Sequence, residues 1–325
     1  MKLFICEFIT GGGLQNDEMS ESMAREGDLM LGALIGDLQE SGHTEIVCPR
    51  DARLACPAYE VQFIPRENNV WETWKKWMRQ CEAAWLIAPE SGNALYQLTT
   101  MAVEQNCMLF GCTPEAVKLA TSKSETIRFL TSNNIACVPV LEYPYSNTGG
   151  NRGWVVKPDD GAGGEDSYFF EQADQLQAYV ESSTGKNILV QEYMPGIPAS
   201  ISMLCHNGHC QLLSCNQQLF EFRGGRGKLE GIIVNGVQQY ATEFRKLAET
   251  VAAVFTGLNG YVGIDLLITG EGLKVLEINP RLTTAYAGLK ESLGLNPAAM
   301  IMNTLISGKF QDKPAENCRP VIINL

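Results

Sequence analysis

The sequence predicts two fold classes in series. An α/β domain built on a doubly wound parallel sheet spans residues 1–112, and an α+β domain with a small mobile lid at about 135–193 spans residues 113–325. Three observations carry this. Short apolar runs at 2–9, 45–48, 83–88 and 107–110 alternate with helical patterns, the arrangement that gives parallel strands with helical crossovers. Beyond residue 188 strand-like runs dominate, and Asn207-Gly208 joins two of them with a dipeptide that favours a tight hairpin. The length of 325 residues is two domains' worth at roughly 150 residues each.

Composition narrows the function. The chain is 45% apolar and 19% charged, a globular balance, and 25 Lys and Arg face 37 Asp and Glu, a formal charge of -12. A long-range positive field for nucleic acid is therefore missing, although local basic pockets for small anions remain compatible with it. The opening run MKLFICEFIT is interrupted by Glu7, and the longest stretch without Asp, Glu, Lys or Arg, 193–220, is studded with polar residues. Neither reads as a signal peptide or a membrane span. The 11 cysteines are odd in number and never form C-x-x-C, which fits reduced thiols and a cytoplasmic setting. The expected partners are small molecules, with no nucleic acid and no membrane; a homo-oligomer is compatible with the sequence.

Taken in order, residues 2–9 read as a strand ending at Thr10-Gly11-Gly12-Gly13, and residues 70–81 read as a helix burying Trp71, Trp74 and Trp77 on one face. In a doubly wound sheet the ligand crevice lies beyond the carboxyl ends of the strands, which is where Thr10–Gly13 and Pro89-Glu90 fall. Thr113-Pro114-Glu115 reads as an N-cap followed by proline at the first helical position, and Ser122 to Glu125 matches the capping box. A loop at 146–153, a strand at 154–157 and a helix at 172–182 make up most of the lid. Strands follow at 188–193, 199–205 and 210–215, then a helix at 241–256 and a hairpin from 261–268 to 272–279.

Several residues carry chemistry. Lys123 sits in the first turn of a capped helix, where a cation is mildly disfavoured unless an anion lies nearby; a surface lysine tolerated there is the plain alternative. Lys157 ends an apolar strand and is held extended by Pro158, and the loop Asp159-Asp160-Gly161-Ala162-Gly163-Gly164 follows. Glycine backbone N–H groups and a neighbouring lysine suit phosphate, although a glycine-rich hairpin with a solvated lysine reads the same way. Glu277 and Asn279 leave the same strand face. A three-residue hairpin loop places Asp265 opposite Glu277, whereas a two-residue loop places Leu276 there. Two carboxylates and an amide among apolar neighbours suit Mg²⁺ or Mn²⁺ bridging nucleotide phosphates, with Val262, Ile264, Leu266, Leu276 and Ile278 filling the other face. Arg281 lies just beyond, and Arg223, Arg226 and Lys228 form a flexible basic loop, which either covers phosphate or substrate or is an ordinary solvated turn. Cys205, His206, His209, Cys210 and Cys215 cluster around Asn207-Gly208 but match no usual zinc spacing.

Lys123, Lys157 with its glycines, Gln191-Glu192-Tyr193-Met194, Asp265 and Glu277-x-Asn279-x-Arg281 together resemble the signature of the ATP-grasp superfamily. The finer motifs Glu7–Gly13, Ala88-Pro89-Glu90, Gly196–Ser200 and Glu277–Thr284 are similar to the tyramine-glutamate ligase group of methanofuran biosynthesis. The resemblance implies that Lys123, Lys157, Gly161, Gly163 and Gly164 hold ATP phosphates and that Gln191, Glu192, Tyr193 and Met194 hold adenine. It implies that Asp265, Glu277 and Asn279 ligate two Mg²⁺ or Mn²⁺ ions, and that Arg281 stabilises the transferring phosphoryl group; Arg223 and Arg226 are catalytic candidates on the chemistry of their basic loop alone. The chain departs from many members at Ile197-Pro198-Ala199, where an acidic ribose ligand is common. The implied activity joins a carboxylic acid to an amine through an acylphosphate, releasing ADP and phosphate. Alternatives are a ligase or carboxylase for another amino acid or bicarbonate, and a nucleotide-binding regulator without turnover. Glu7 and Glu90 are open between pairing with a substrate ammonium and serving as caps or surface groups.

Overall fold

In Leu3–Glu7 (β1) all five side chains are buried, which requires cover on both faces of the strand. The computed structural model describes residues 1–142, 152–161, 166–311 and 318–325. After β1 the first unit contains α1 (Glu21–Glu40), β2 (Ile46–Val47), β3 (Pro49–Asp51), β4 (Gln62–Ile64), α2 (Val70–Met78), β5 (Ala83–Ile87), α3 (Ala94–Glu104) and β6 (Met108–Leu109). The parallel sheet runs β2-β1-β5-β6, so the strand order reverses between β1 and β5. Leu31, Leu34, Ile35 and Leu38 of α1 pack with Leu3 and Ile5, while Trp74, Met78 and Leu98 pack with Phe4 and Cys6 on the opposite face. The small parallel pair β3-β4 has no counterpart in the sequence pattern. The buried stripe of α2 also differs from the expected tryptophan face. Val70, Trp74 and Met78 are buried at four-residue spacing, and Trp71 and Trp77 flank them half-buried, because a helix turns 3.6 residues and not three.

The second unit opens with α4 (Pro114–Thr121) and α5 (Lys123–Ser132), each capped as expected: Thr113 Oγ1 accepts from Ala116 N, and Ser122 Oγ accepts from Glu125 N. The remaining elements are β7 (Trp154–Pro158), β8 (Tyr168–Phe170), α6 (Ala173–Ser182), β9 (Ile188–Glu192), β10 (Ile197–His206), β11 (His209–Arg223), β12 (Arg226–Val234), α7 (Ala241–Val254), β13 (Gly260–Thr269), β14 (Gly272–Asn279), α8 (Tyr286–Leu293), α9 (Pro297–Ser307) and β15 (Val321–Asn324). Their sheet runs β14-β13-β10-β11-β12-β8-β7-β9, with β15 on β12. Among the described residues the β7–β9 block joins the rest of the sheet through one residue pair, Arg226 with Tyr168, and has its own small core of Trp154, Val156, Leu176 and Val190. Most of the loop expected at 146–153 lies outside the described residues.

Asn207 and Gly208 both take positive φ, 48° and 78°, and close the β10–β11 hairpin as the sequence predicts. The segment read as a flexible basic loop is instead a second tight hairpin. Arg223 pairs with Arg226, and Gly224 and Gly225 supply the positive φ angles of the turn. Hydrophobic contacts run across residue 112: Phe4 and Trp74 belong to the same cluster as Ile201, Phe244 and Val262. Tyr286 Oη donates to Asp37 Oδ2 at 2.9 Å, fastening α8 to α1. Among the described residues no helix is long and apolar enough to cross a membrane.

Candidate active site

The β13–β14 hairpin turns on only two residues, Gly270 and Glu271, since Thr269 pairs with Gly272. That register alone would set Leu276 against Asp265. A bulge intervenes, so that Leu266 pairs with Val275 and Asp265 with Glu277, leaving Leu276 as the extra residue of its strand. Val275 rather than Leu276 then fills the core, and Leu276 turns to the cleft beside Glu277. Asp265, Glu277 and Asn279 meet on the cleft face, and Gln218 Nε2 donates to Asp265 Oδ1 at 3.0 Å. Burial, and then the charge of Glu277, pushes the Asp265 carboxyl up to about 8. Burial would raise Glu277 as well, but Lys123 and Lys157 outweigh it and hold Glu277 below its ordinary value. Two crowded carboxylates with one taking up a proton are short of positive charge. An oxygen-only donor set of two acids and an amide suits a hard divalent cation, and these residues fit Mg²⁺ or Mn²⁺. Among the described residues no group of three or more His, Cys, Asp or Glu is arranged to hold a metal; beside Asp265 and Glu277 the third oxygen donor on this face is the Asn279 amide.

Lys123 projects from the first turn of α5. Its Nζ donates to the Gly161 carbonyl and lies 3.2 Å from Glu277 Oε2, which supplies the anion that its position calls for. Asp159, unassigned by sequence reasoning, fixes this helix end: it accepts from Ser124 N at 2.8 Å and from Ser122 Oγ at 2.6 Å. Asp159 at the end of β7 and the α5 N-terminus are thereby joined in one corner. On β7 Trp154 and Val156 point to the lid core, and Val155 and Lys157 point to the cleft. Burial, opposed by Glu277 and reinforced by Lys123, lowers the Lys157 ammonium to about 8. Gly161 lines the cleft; Gly163 and Gly164 lie outside the described residues.

The cleft has a volume of about 670 Å³ and runs between the β7–β9 block and the main sheet. Gln191, Glu192, Tyr193 and Met194 line it. Gln191 is buried and spends its amide N–H on the Val138 carbonyl at 2.8 Å, tying the hinge to the incoming chain. Tyr193 packs its ring against Phe169 at 5.1 Å, leaving an aromatic wall beside the hinge.

At the other end, Arg281 lines the cleft and Glu90 clamps it through Nε at 3.0 Å and Nη2 at 2.9 Å. Burial would lower the guanidinium, but the Glu90 carboxylate outweighs it and keeps Arg281 charged. Glu90 is thus neither a surface group nor free for an ammonium. Glu7 is buried, and accepts from Ile9 N at 3.1 Å and Thr10 N at 2.7 Å. Arg223 and Arg226 are not brought to this site. They are exposed on the β11–β12 hairpin, where Arg223 pairs with Glu221 and Glu230 and Arg226 lies 3.5 Å from Asp166. Gln218 and Glu26 line the cleft without any sequence signal, because their neighbours come from distant elements.

This geometry has known counterparts. A family model described as the ATP-grasp domain matches residues 120–285, and one described as the pre ATP-grasp 3 domain matches residues 44–117. Tyramine–L-glutamate ligase of Methanocaldococcus jannaschii is 29% identical over 240 residues, covering 73% of this chain and 68% of the relative. The enzyme of the same name from Methanocaldococcus fervens is 32% identical over 204 residues, covering 63% of this chain and 60% of the relative. A crystal structure from Archaeoglobus fulgidus, described under the ATP-grasp superfamily, has the same fold with a TM-score of 0.72 at 22% identity, over 100% of this chain and 99% of that one. With half of its length matched by the family model and its lysines, acids and hinge gathered on one cleft, the chain belongs to the ATP-grasp family.

Proposed function

We propose that the chain is an ATP-dependent carboxylate–amine ligase, joining an amine to an activated acid with release of ADP and phosphate, and that its substrates are glutamate and tyramine or close relatives of them. The observation that carries the reading is the meeting of Lys123 and Lys157 with Asp265, Glu277 and Asn279 at one end of a cleft whose other end opens beyond β1 and β5. The relatives named as tyramine–L-glutamate ligases support the substrate pair.

In this reading the adenine lies against the hinge 191–194 and the phosphates run toward Lys123, Lys157 and Gly161. Asp265, Glu277 and Asn279 would hold two divalent ions, which supply charge neutralisation at the triphosphate. Arg281, held in place by Glu90, carries negative charge developing on the transferred phosphoryl group. The substrate carboxylate takes the γ-phosphoryl group, and the amine then displaces phosphate from the acylphosphate to form the amide. The lid elements β7–β9 keep water from that intermediate. Arg223 and Arg226 stand outside the cleft lining, and this reading gives them no step. Incubation with Mg-ATP, glutamate and a panel of amines, with mass detection of products, tests the proposal. Amine-dependent formation of ADP and a glutamyl amide is the expected result, and ATP binding without amide from any amine overturns it.

A further inference from the structure

Two carboxylates at the far end of the cleft have no role in holding nucleotide or metal. Glu7 closes β1 and is 3% exposed, and Glu26 stands on α1, half-buried. Both line the cleft, and among the described residues neither has a Lys, Arg or His within ion-pair distance. Glu7 accepts from the backbone N–H groups of Ile9 and Thr10, with the Thr10 side chain also bearing on its carboxyl, and Glu26 accepts from the Thr284 hydroxyl. Burying a carboxylate without a counter-cation is costly, and a chain that keeps one on the wall of a substrate cleft is poised for a cation that arrives with the substrate. Burial raises the Glu7 carboxyl to about 7, the response of an acid lacking such a cation.

The local architecture is specific. Gly27 lets α1 approach so closely that a Cβ there would stand 2.4 Å from Glu7 Oε2, so the helix carrying Glu26 is pressed directly against Glu7. Met23 and Met30 flank this point on the same helix and offer the cleft an apolar, adaptable wall. Glu26 is also within electrostatic reach of Arg281, which connects this end to the phosphate end.

We propose that Glu7 and Glu26 form the ammonium subsite for the acceptor amine, with Met23 and Met30 taking the hydrocarbon of an arylalkyl primary amine. The inference rests on the ligase reading above and assigns the amine's side of that same cleft.

The test compares Glu26→Gln with the unaltered enzyme under Mg-ATP, glutamate and tyramine, and measures inhibition by the alcohol of the same shape as tyramine. Glutamine can still accept from Thr284, so the fold is retained. The expected result is a rise of about tenfold or more in the amine KM, with the KM values for glutamate and ATP held within about twofold. Inhibition by the uncharged alcohol stays unchanged. Glu7→Gln should act in the same direction; because Glu7 also anchors the turn at Ile9 and Thr10, Glu26→Gln is the deciding variant. An unchanged amine KM overturns the subsite. A rise confined to the glutamate KM also overturns it, by assigning the carboxylates to the amino acid's own ammonium. If the unaltered enzyme makes no amide, the ligase reading falls and the amine assignment with it; if it makes the amide while Glu26→Gln is silent, only the subsite falls.

Discussion

Glu90 and Arg281, separated by 191 positions in the chain, form a two-pronged ion pair with both partners almost fully buried. Glu90 follows the carboxyl end of β5 and Arg281 follows β14, so the pair bolts the first sheet to the Glu277 end of the second. Glu90→Gln should remove the counter-charge from a buried guanidinium and cost about 3 kcal/mol of stability. Urea unfolding measures this directly, and turnover should fall with it as Arg281 loses its fixed orientation. A stability change below about 0.5 kcal/mol would show that the pair does not hold the units together.

Glu277 is the acid drawn furthest toward ionisation by both lysines. Glu277→Ala should leave the fold intact, because the side chain faces the cleft and not the core, while turnover falls by about a thousandfold or more. Mn²⁺ titration followed by electron paramagnetic resonance reads the metal separately from activity. Retained Mn²⁺ affinity in Glu277→Ala would remove this residue from the metal set.

What the sequence makes legible here follows the range of the forces involved. Hairpins at Asn207-Gly208, caps at Thr113 and Ser122, and the alternation that aims Lys157 at the cleft are local effects of backbone chemistry, and each is found where periodicity places it. The Asp265–Glu277 pairing is open between two registers on spacing alone. The short turn by itself favours the wrong one, and a bulge at Leu276, which no dipeptide announces, restores the pair. Arg223 and Arg226 mislead for a related reason: a Gly-Gly pair rich in neighbouring charge reads as a mobile loop, yet supplies the positive φ of a tight turn whose arginines face carboxylates of the hairpin and of Asp166. Glu90 with Arg281, Asp159 with Ser122 and Gln218 with Asp265 are long-range contacts set by how sheets pack. Spacing along the chain carries no trace of them.

Lys157 pays for its place in the cleft with a loss of hydration, and its largest compensation is the charge of Glu277. Phosphate oxygens would supply far more. Lys157→Ala should therefore raise the ATP concentration for half-maximal rate by about tenfold or more, with a smaller effect on stability because no buried ammonium remains to be solvated. Steady-state kinetics with varied ATP and calorimetric titration with an unreactive ATP analogue check it together. Unaltered values in both would return Lys157 to the status of a strand-end lysine.

Glu7 gives the molecule a pH dependence whose sign is fixed by burial. Desolvation raises its carboxyl from an ordinary 4.5 to about 7, against the lowering effect of Thr10, through its N–H and its side chain, and of the Ile9 N–H. The folded chain therefore binds this proton more tightly than the unfolded chain does. Its favourable contribution is fully present below the unfolded value and is lost as pH rises through about 7, a difference on the order of 3 kcal/mol. Glu7→Gln removes the dependence: from about pH 5 to about pH 8 the unaltered chain should lose stability relative to the variant, as read by urea unfolding at each pH. Amine capture runs the other way, since only the ionised carboxylate attracts an ammonium. The amine KM of the unaltered enzyme should fall as pH rises through about 7, while in Glu7→Gln that fall should be absent. Parallel stability profiles for the two proteins would show that the Glu7 proton is held no more tightly in the folded chain than in the unfolded one.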